Sequence, residues 1–187
     1  VSSPQPSDGP EVDAAVLPPI QRPRRIWLFA AVAVFALAVD LISKIIVVAK
    51  LPIDHMPVRI LGGAVYLDQA RNSGAAFSVG TGATIVLTAV AVVIVLVILR
   101  VAARMRSIGW AVALGLILGG AIGNLLDRFF RAPGGGKGHV VDWISLFGPN
   151  AAHWPIFNLA DSAICCGAVT AAIVAILGID INGTRKK

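Results

Sequence analysis

Two aspartates stand in apolar surroundings that could give them hydrolytic chemistry: Asp142 in the run His-Val-Val-Asp-Trp-Ile and Asp161 in Phe-Asn-Leu-Ala-Asp-Ser-Ala-Ile. Burial raises a carboxyl pKa, and two carboxyls brought together share a proton, leaving one as base and the other as acid. Such a pair can activate a water and protonate a leaving amine. The structural alternative is that Asp161, or Asn158 just before it, caps a helix while Asp142 pairs with a nearby arginine. The residues alone leave both readings open.

Other polar residues are better explained by packing. Asp40 and Lys44 lie four apart in an apolar run, share a helical face and can neutralise one another. Ser43 beside Lys44 suggests a serine/lysine nucleophile, but adjacent helical residues point about 100° apart and do not easily form that dyad. Asn124, Asp127 and Arg128 share a face at spacings of three and four, where Asp127 and Arg128 suit an ion pair or a lipid headgroup contact. Gly115, Gly119, Gly120 and Gly123 precede them and let another helix approach closely. His55, His139 and His153 are dispersed, without the spacing of a zinc protease, so a metal site is unsupported. No phosphate-cradling glycine loop or Gly-x-Ser-x-Gly elbow occurs. Cys165 and Cys166 are adjacent within an apolar run and read as small filler rather than a disulfide.

The elements that must position these residues follow from composition. Of 187 residues 57% are hydrophobic and 14% charged, with a mean hydropathy of +0.82; a soluble domain carries about 25% charged residues. The fold class expected is an all-α integral membrane protein with four transmembrane helices and a small extracytoplasmic β-sheet element. The spans run over about 26–49, 83–103, 108–127 and 161–179, each near the roughly 20 residues that cross a bilayer. The first is too long for a signal-peptide core, and further spans follow it. Residues 1–25 form a Pro- and Ser-rich tail expected to be disordered, 26–181 the membrane domain, and 182–187 a basic tail.

Basic residues set the orientation. Arg22, Arg24 and Arg25, then Arg100, Arg104 and Arg106, then Arg185, Lys186 and Lys187 fall on one face, which the positive-inside bias makes cytoplasmic. The bias is nine basic residues to six, since Lys50, Arg59, Arg71, Arg128, Arg131 and Lys137 fall in or beside the outer connections. The net charge of +6 therefore reads as a topology signal, not as nucleic-acid binding. Residues 58–69 predict a hairpin around Gly62 and Gly63, and 139–144 a strand. No internal repeat of the kind that builds a transporter from two halves is found.

Laid out in order, the motifs resemble those of the lipoprotein signal peptidase family, also called signal peptidase II. They are Asp40-Leu-Ile-Ser-Lys44, Asn72-Ser-Gly-Ala-Ala-Phe77, Gly119-Gly-Ala-Ile-Gly-Asn-Leu-Leu-Asp-Arg128, Val140-Val-Asp142 and Phe157-Asn-Leu-Ala-Asp161. The tail before Ile26 lies outside the match, and 134–136 looks like a local insertion. The resemblance implies an aspartyl endopeptidase of the bacterial inner membrane that removes the signal peptide from prolipoproteins carrying a diacylglyceryl-modified cysteine. It implies Asp142 and Asp161 as the catalytic pair. Asn72, Asn124, Arg128 and Asn158 would line the site, Asp40 and Lys44 would support it, Gly74 would permit close approach of substrate, and Asp127 would be structural. Both termini would be cytoplasmic and the site would face the extracytoplasmic side. No metal or organic cofactor is implied. The partners expected are lipid-modified prolipoproteins and membrane lipids, with no nucleic acid; one chain supplies every motif residue, so a monomer suffices. The competing class is a small transport or channel protein using Asp40, Lys44 and Asp161 as an ion path, which predicts polar residues spread through the membrane depth. Here most gather toward one face.

Overall fold

The computed structural model describes residues 23–74 and 82–185. Residues 1–22 of the expected disordered tail (1–25), Ala75, Ala76 and Phe77 of the second motif, and Lys186 and Lys187 lie outside the described residues. Four helices form from the four apolar runs: α1 (Ile26–Lys50), α2 (Gly82–Ala102), α3 (Ile108–Phe130) and α4 (Leu159–Ile176). Each is long and apolar enough to cross a membrane; at a 1.5 Å rise, the 25 residues of α1 span about 37 Å.

Local chemistry sets the helix ends. Ser107 caps α3, its hydroxyl accepting from the Trp110 backbone N–H at 3.4 Å. Helix α4 starts at Leu159, two residues before the expected 161, because Asn158 and Asp161 form a reciprocal capping box. It stops at Ile176, three short of the expected 179: Gly178 takes φ 70° and the Ile179 N–H bonds back to the Val174 carbonyl at 3.1 Å.

Helix α3 is the wall against which α1 and α4 pack. Half of its apolar window is buried, against 28% or less in the other three. The glycines explain how. A Cβ on Gly119 would collide with the Ala33 carbonyl oxygen and the Ala36 side chain, one on Gly120 with the Ala160 carbonyl oxygen, and one on Gly123 with the Asp40 carboxylate. Where lipid is as apolar as leucine, such close backbone contact is what holds helices together. The outward faces stay apolar and exposed, as at Phe35, Ile42, Val86 and Leu96, and the free cysteines Cys165 and Cys166 lie exposed on α4.

The two ends of the bundle differ. At one, Phe29, Ile98, Ala102, Met105, Ala111 and Leu118 form an apolar core. There the Arg25 N–H donates to the Met105 carbonyl at 2.9 Å, and the Trp110 indole N–H to the Ile179 carbonyl at 2.8 Å. At the other end lies an antiparallel sheet of β1 (Val58–Ile60), β2 (Val65–Asn72) and β3 (Val140–Leu146), in that order. The expected hairpin and strand are present, with β2 running on to Asn72 and β3 to Leu146.

One irregularity in this sheet positions the site. Leu67 pairs with Ile144 and Ala70 with Asp142, so β2 carries one residue more than β3 between those pairs. Such a bulge re-aims the side chains beyond it. Ala70 then stands opposite Asp142, and Asn72, two residues on, shares its face. The bulged Asp68 accepts from the Asn150 N–H at 2.6 Å, tying down the loop after β3. Two threonines fasten α2 to this end: Thr84 donates to the Ser73 carbonyl, and Thr88 to the Gly136 carbonyl at 2.7 Å. Because Gly119 has no free space, Gly119→Val is expected to destabilise the bundle by about 1–3 kcal/mol. Thermal unfolding in detergent measures this, and an unchanged melting temperature would contradict the packing argument.

Candidate active site

Lys44 is the centre from which the polar end of the bundle is built. Its ammonium is fully buried, 2.8 Å from Asp40 Oδ2, 3.0 Å from Asp127 Oδ2 and 3.1 Å from Asn124 Oδ1. Asp40 is also fully buried, and Asp127 nearly so. Arg131 pairs with the other oxygen of Asp127, so two carboxylates and two cations close a neutral cluster. Each carboxylate then reaches one step further. Asp127 Oδ2 accepts from the Val141 N–H at 3.1 Å, and Asp40 Oδ1 from the Ala160 N–H at 3.0 Å. Val141 and Ala160 are the residues immediately before Asp142 and Asp161.

The two aspartates are further joined through asparagines. Asn158 donates its amide to Asp142 Oδ1 at 2.6 Å, while its backbone N–H donates to Asp161 Oδ2 at 3.2 Å. Asn124 donates to Asp161 Oδ1 at 2.8 Å and accepts from Asn158 at 3.2 Å. Asn72 donates to the remaining oxygen of Asp142 at 2.8 Å, and its own oxygen accepts from the Gly74 N–H at 2.7 Å. Ser43, by contrast, bonds back to the Asp40 carbonyl at 2.8 Å and makes no dyad with Lys44.

Asp142 is 2% exposed on β3. Burial pushes its carboxyl up to about 7; the Asp161 charge adds to the rise, and the amide hydrogen bonds from Asn72 and Asn158 and the Lys44 charge oppose it. A carboxyl poised there can hold or release a proton near neutrality. Arg128 is buried in the field of Asp142, Asp161 and Asp127, and its Nη1 has no hydrogen-bond partner. A cavity of about 400 Å³ opens over Asp142 and Asn72, with Ala70 on its β2 side and His153, Trp154 and Ile156 on the loop after β3.

The structure therefore gathers Asp40, Lys44, Asn72, Gly74, Asn124, Asp127, Arg128, Asp142, Asn158 and Asp161 at one end. It differs from the sequence reading in one pairing: Asp127 bonds to Lys44 and Arg131, not to its neighbour Arg128. Three features went unread. They are Arg131, whose spacing of four from Asp127 was the available signal, the loop residues His153 and Trp154, and the anchoring role of Thr84 and Thr88.

A family model for signal peptidase II matches residues 32–177, which contain every one of these side chains. The chain belongs to the signal peptidase II family. It is an aspartic-type signal peptidase and a bacterial membrane protein, which displaces the transport reading. It is similar to the lipoprotein signal peptidase of Rhodococcus jostii (strain RHA1), 48% identical over 168 residues, covering 90% of this chain and 81% of that one. The corresponding protein of Mycobacterium avium (strain 104) is 45% identical over 179 residues, 95% of each. Two solved structures, described as a bacterial membrane enzyme determined in meso at 1.9 Å and 2.3 Å resolution, match with TM-scores of 0.71. They are 25% and 26% identical and cover 84% and 90% of this signal peptidase, and 97% and 98% of their own chains.

Removing the ammonium while leaving its carboxylates buried should cost most. Lys44→Met is expected to destabilise the protein by about 3–5 kcal/mol. Asp127→Asn is expected to lower folded yield more than turnover per folded molecule. Size-exclusion recovery combined with activity per monodisperse protein checks both, and a well-folded Lys44→Met would contradict the cluster's role.

Proposed function

We propose that Asp142 and Asp161 are the catalytic pair of this signal peptidase, and that it cuts prolipoproteins just before a diacylglyceryl-modified cysteine. The observation that carries the proposal is Asn158, one residue bonded to both carboxylates at 2.6 and 3.2 Å. Asp142, with its carboxyl near 7, serves as the acid, and Asp161, partly exposed in the first turn of α4, as the base. Asp161 takes a proton from a water, and the resulting hydroxide attacks the scissile carbonyl carbon while Asp142 gives its proton to the carbonyl oxygen. The tetrahedral gem-diol collapses: the C–N bond breaks, Asp161 passes its proton to the leaving amine, and Asp142 regains one from the gem-diol hydroxyl. Arg128, with its unpartnered Nη1, binds a substrate backbone carbonyl, and Asn72 and Gly74 bound the cleft on the sheet side.

The end of the bundle opposite the sheet is proposed to be cytoplasmic. The Arg25–Met105 bond, the bonds from the Arg106 and Ser107 N–H groups to the Ile181 carbonyl and the Ile179–Arg185 bridge bring Arg25, the arginines of the α2–α3 link and Arg185 to that end. The catalytic pair then faces the extracytoplasmic side, where the apolar outer faces of the helices accept acyl chains from the bilayer. One chain carries the whole site, and it acts as a monomer.

Asp142→Asn and Asp161→Asn are each expected to lower turnover of a lipid-modified precursor by on the order of 10³-fold with folding intact. Wild-type turnover by either would falsify the pair. Because the folded Asp142 carboxyl is raised, its proton is present below about 7 and lost above, so kcat/KM should fall as pH rises through that value. An unmodified precursor peptide serves as control: cleavage equal to that of the lipidated peptide would sink the lipid requirement.

A further inference from the structure

A second polar recess at the sheet end, of about 430 Å³, is lined among the described residues by Arg71, Arg131, Ala132 and His139. None of these lines the cavity over Asp142. The basic side chains come from separate elements: Arg71 from β2, opposite Val141; Arg131 from the C-cap of α3; and His139 from the turn into β3. Among the described residues only Arg131 of the three takes part in an ion pair of the fold, with Asp127.

The charges in the recess are not balanced from within. Asp127, the partner of Arg131, is already committed to Lys44 and to the Val141 N–H. No carboxylate lies within ion-pair distance of Arg71 among the described residues; its neighbour is the neutral Gln69 side-chain amide, whose oxygen accepts from Arg71 at 3.2 Å when the amide is flipped to satisfy its partners. Burial first, and then the Arg131 charge, lower the Arg71 pKa, with Asp127 opposing. Two guanidiniums in one recess with a single, shared counter-ion leave a net positive pocket.

Its position indicates what could fill it. Phe129 and Phe130, the last residues of the membrane-crossing α3, are 44% and 81% exposed directly before Arg131. The recess therefore sits where hydrocarbon gives way to headgroups. Guanidinium forks match phosphate oxygens bidentately, and basic pockets at helix ends take phospholipid headgroups. We infer that the Arg71, Arg131 and His139 recess is an anion site for a phosphate group, either the headgroup of an anionic phospholipid in the sheet-side leaflet or free phosphate. The site stands apart from the aspartate chemistry, and its occupancy does not depend on turnover.

The test uses the purified full chain and native mass spectrometry. Phosphatidylglycerol, a diacylglycerol with the same acyl chains, and inorganic phosphate are the probes. Phosphatidylglycerol should be retained and diacylglycerol not, and Arg71→Gln should cut retention by about fivefold. His139→Gln, which leaves the strand pairing alone, is the second variant and should weaken retention less; each variant is first matched to wild type in melting temperature. Displacement of the lipid by inorganic phosphate supports a site for free phosphate, and lipid that resists displacement supports a headgroup held also by its tails. Equal retention of diacylglycerol, or retention unchanged in both variants, overturns the proposal.

Discussion

The polar end of this protein depends on keeping one ammonium out of water. An isolated charge in an apolar interior is prohibitively expensive, and a buried ion pair breaks even only when its remaining donors and acceptors are satisfied. Lys44 is held on three sides: its ammonium donates to Asn124 and pairs with the carboxylates of Asp40 and Asp127. The second carboxylate would leave the cluster negative, and Arg131 restores neutrality. The acceptors come from α1 and α3, so their crossing is fixed where Gly119 lets the backbones touch and Gly123 leaves room for the Asp40 carboxylate.

Rigidity in this cluster is passed on through two backbone hydrogen bonds. Asp127 holds the N–H of Val141 and Asp40 that of Ala160, so each structural carboxylate positions the residue before one of the proposed catalytic aspartates. A strand and a helix from distant parts of the chain are thereby referred to a common origin. Asn158, Asn124 and Asn72 then complete the geometry with neutral donors, which hold both carboxylates without quenching the charge of either by a direct cation. That choice matters for Asp142: an arginine in the place of Asn72 would pull its carboxyl down, whereas amide donors leave burial in command.

Much of this was legible in the sequence because membranes impose strong constraints. Span length and apolarity gave the four helices, and the hairpin glycines gave β1 and β2. Asp142 and Asp161 were conspicuous as carboxylates among apolar residues, yet a cap and a catalytic group could not be told apart. The capping box explains why: Asn158 and Asp161 start α4 and hold the proposed site with the same two side chains, so the two readings were never exclusive. The partner of Asp127 was misread for a different reason. Adjacency favoured Arg128, but Lys44, 83 residues earlier, becomes a neighbour only once α1 lies on α3, a tertiary fact that local spacing does not contain. The bulge in β2 and the rim loop carrying His153 and Trp154 lack any period, so nothing in the pattern announced them.

Catalysis by this pair turns on Asp142 being a carboxyl that holds its proton near neutrality inside a neutral, asparagine-bonded frame. Carboxyl-carbon NMR of the protein labelled with ¹³C-aspartate, followed from acid to alkaline pH, reads this directly. One resonance should titrate near 7 and be missing from the spectrum of Asp142→Asn. An Asp142 resonance that titrates at roughly 4, where exposed aspartates do, would contradict it.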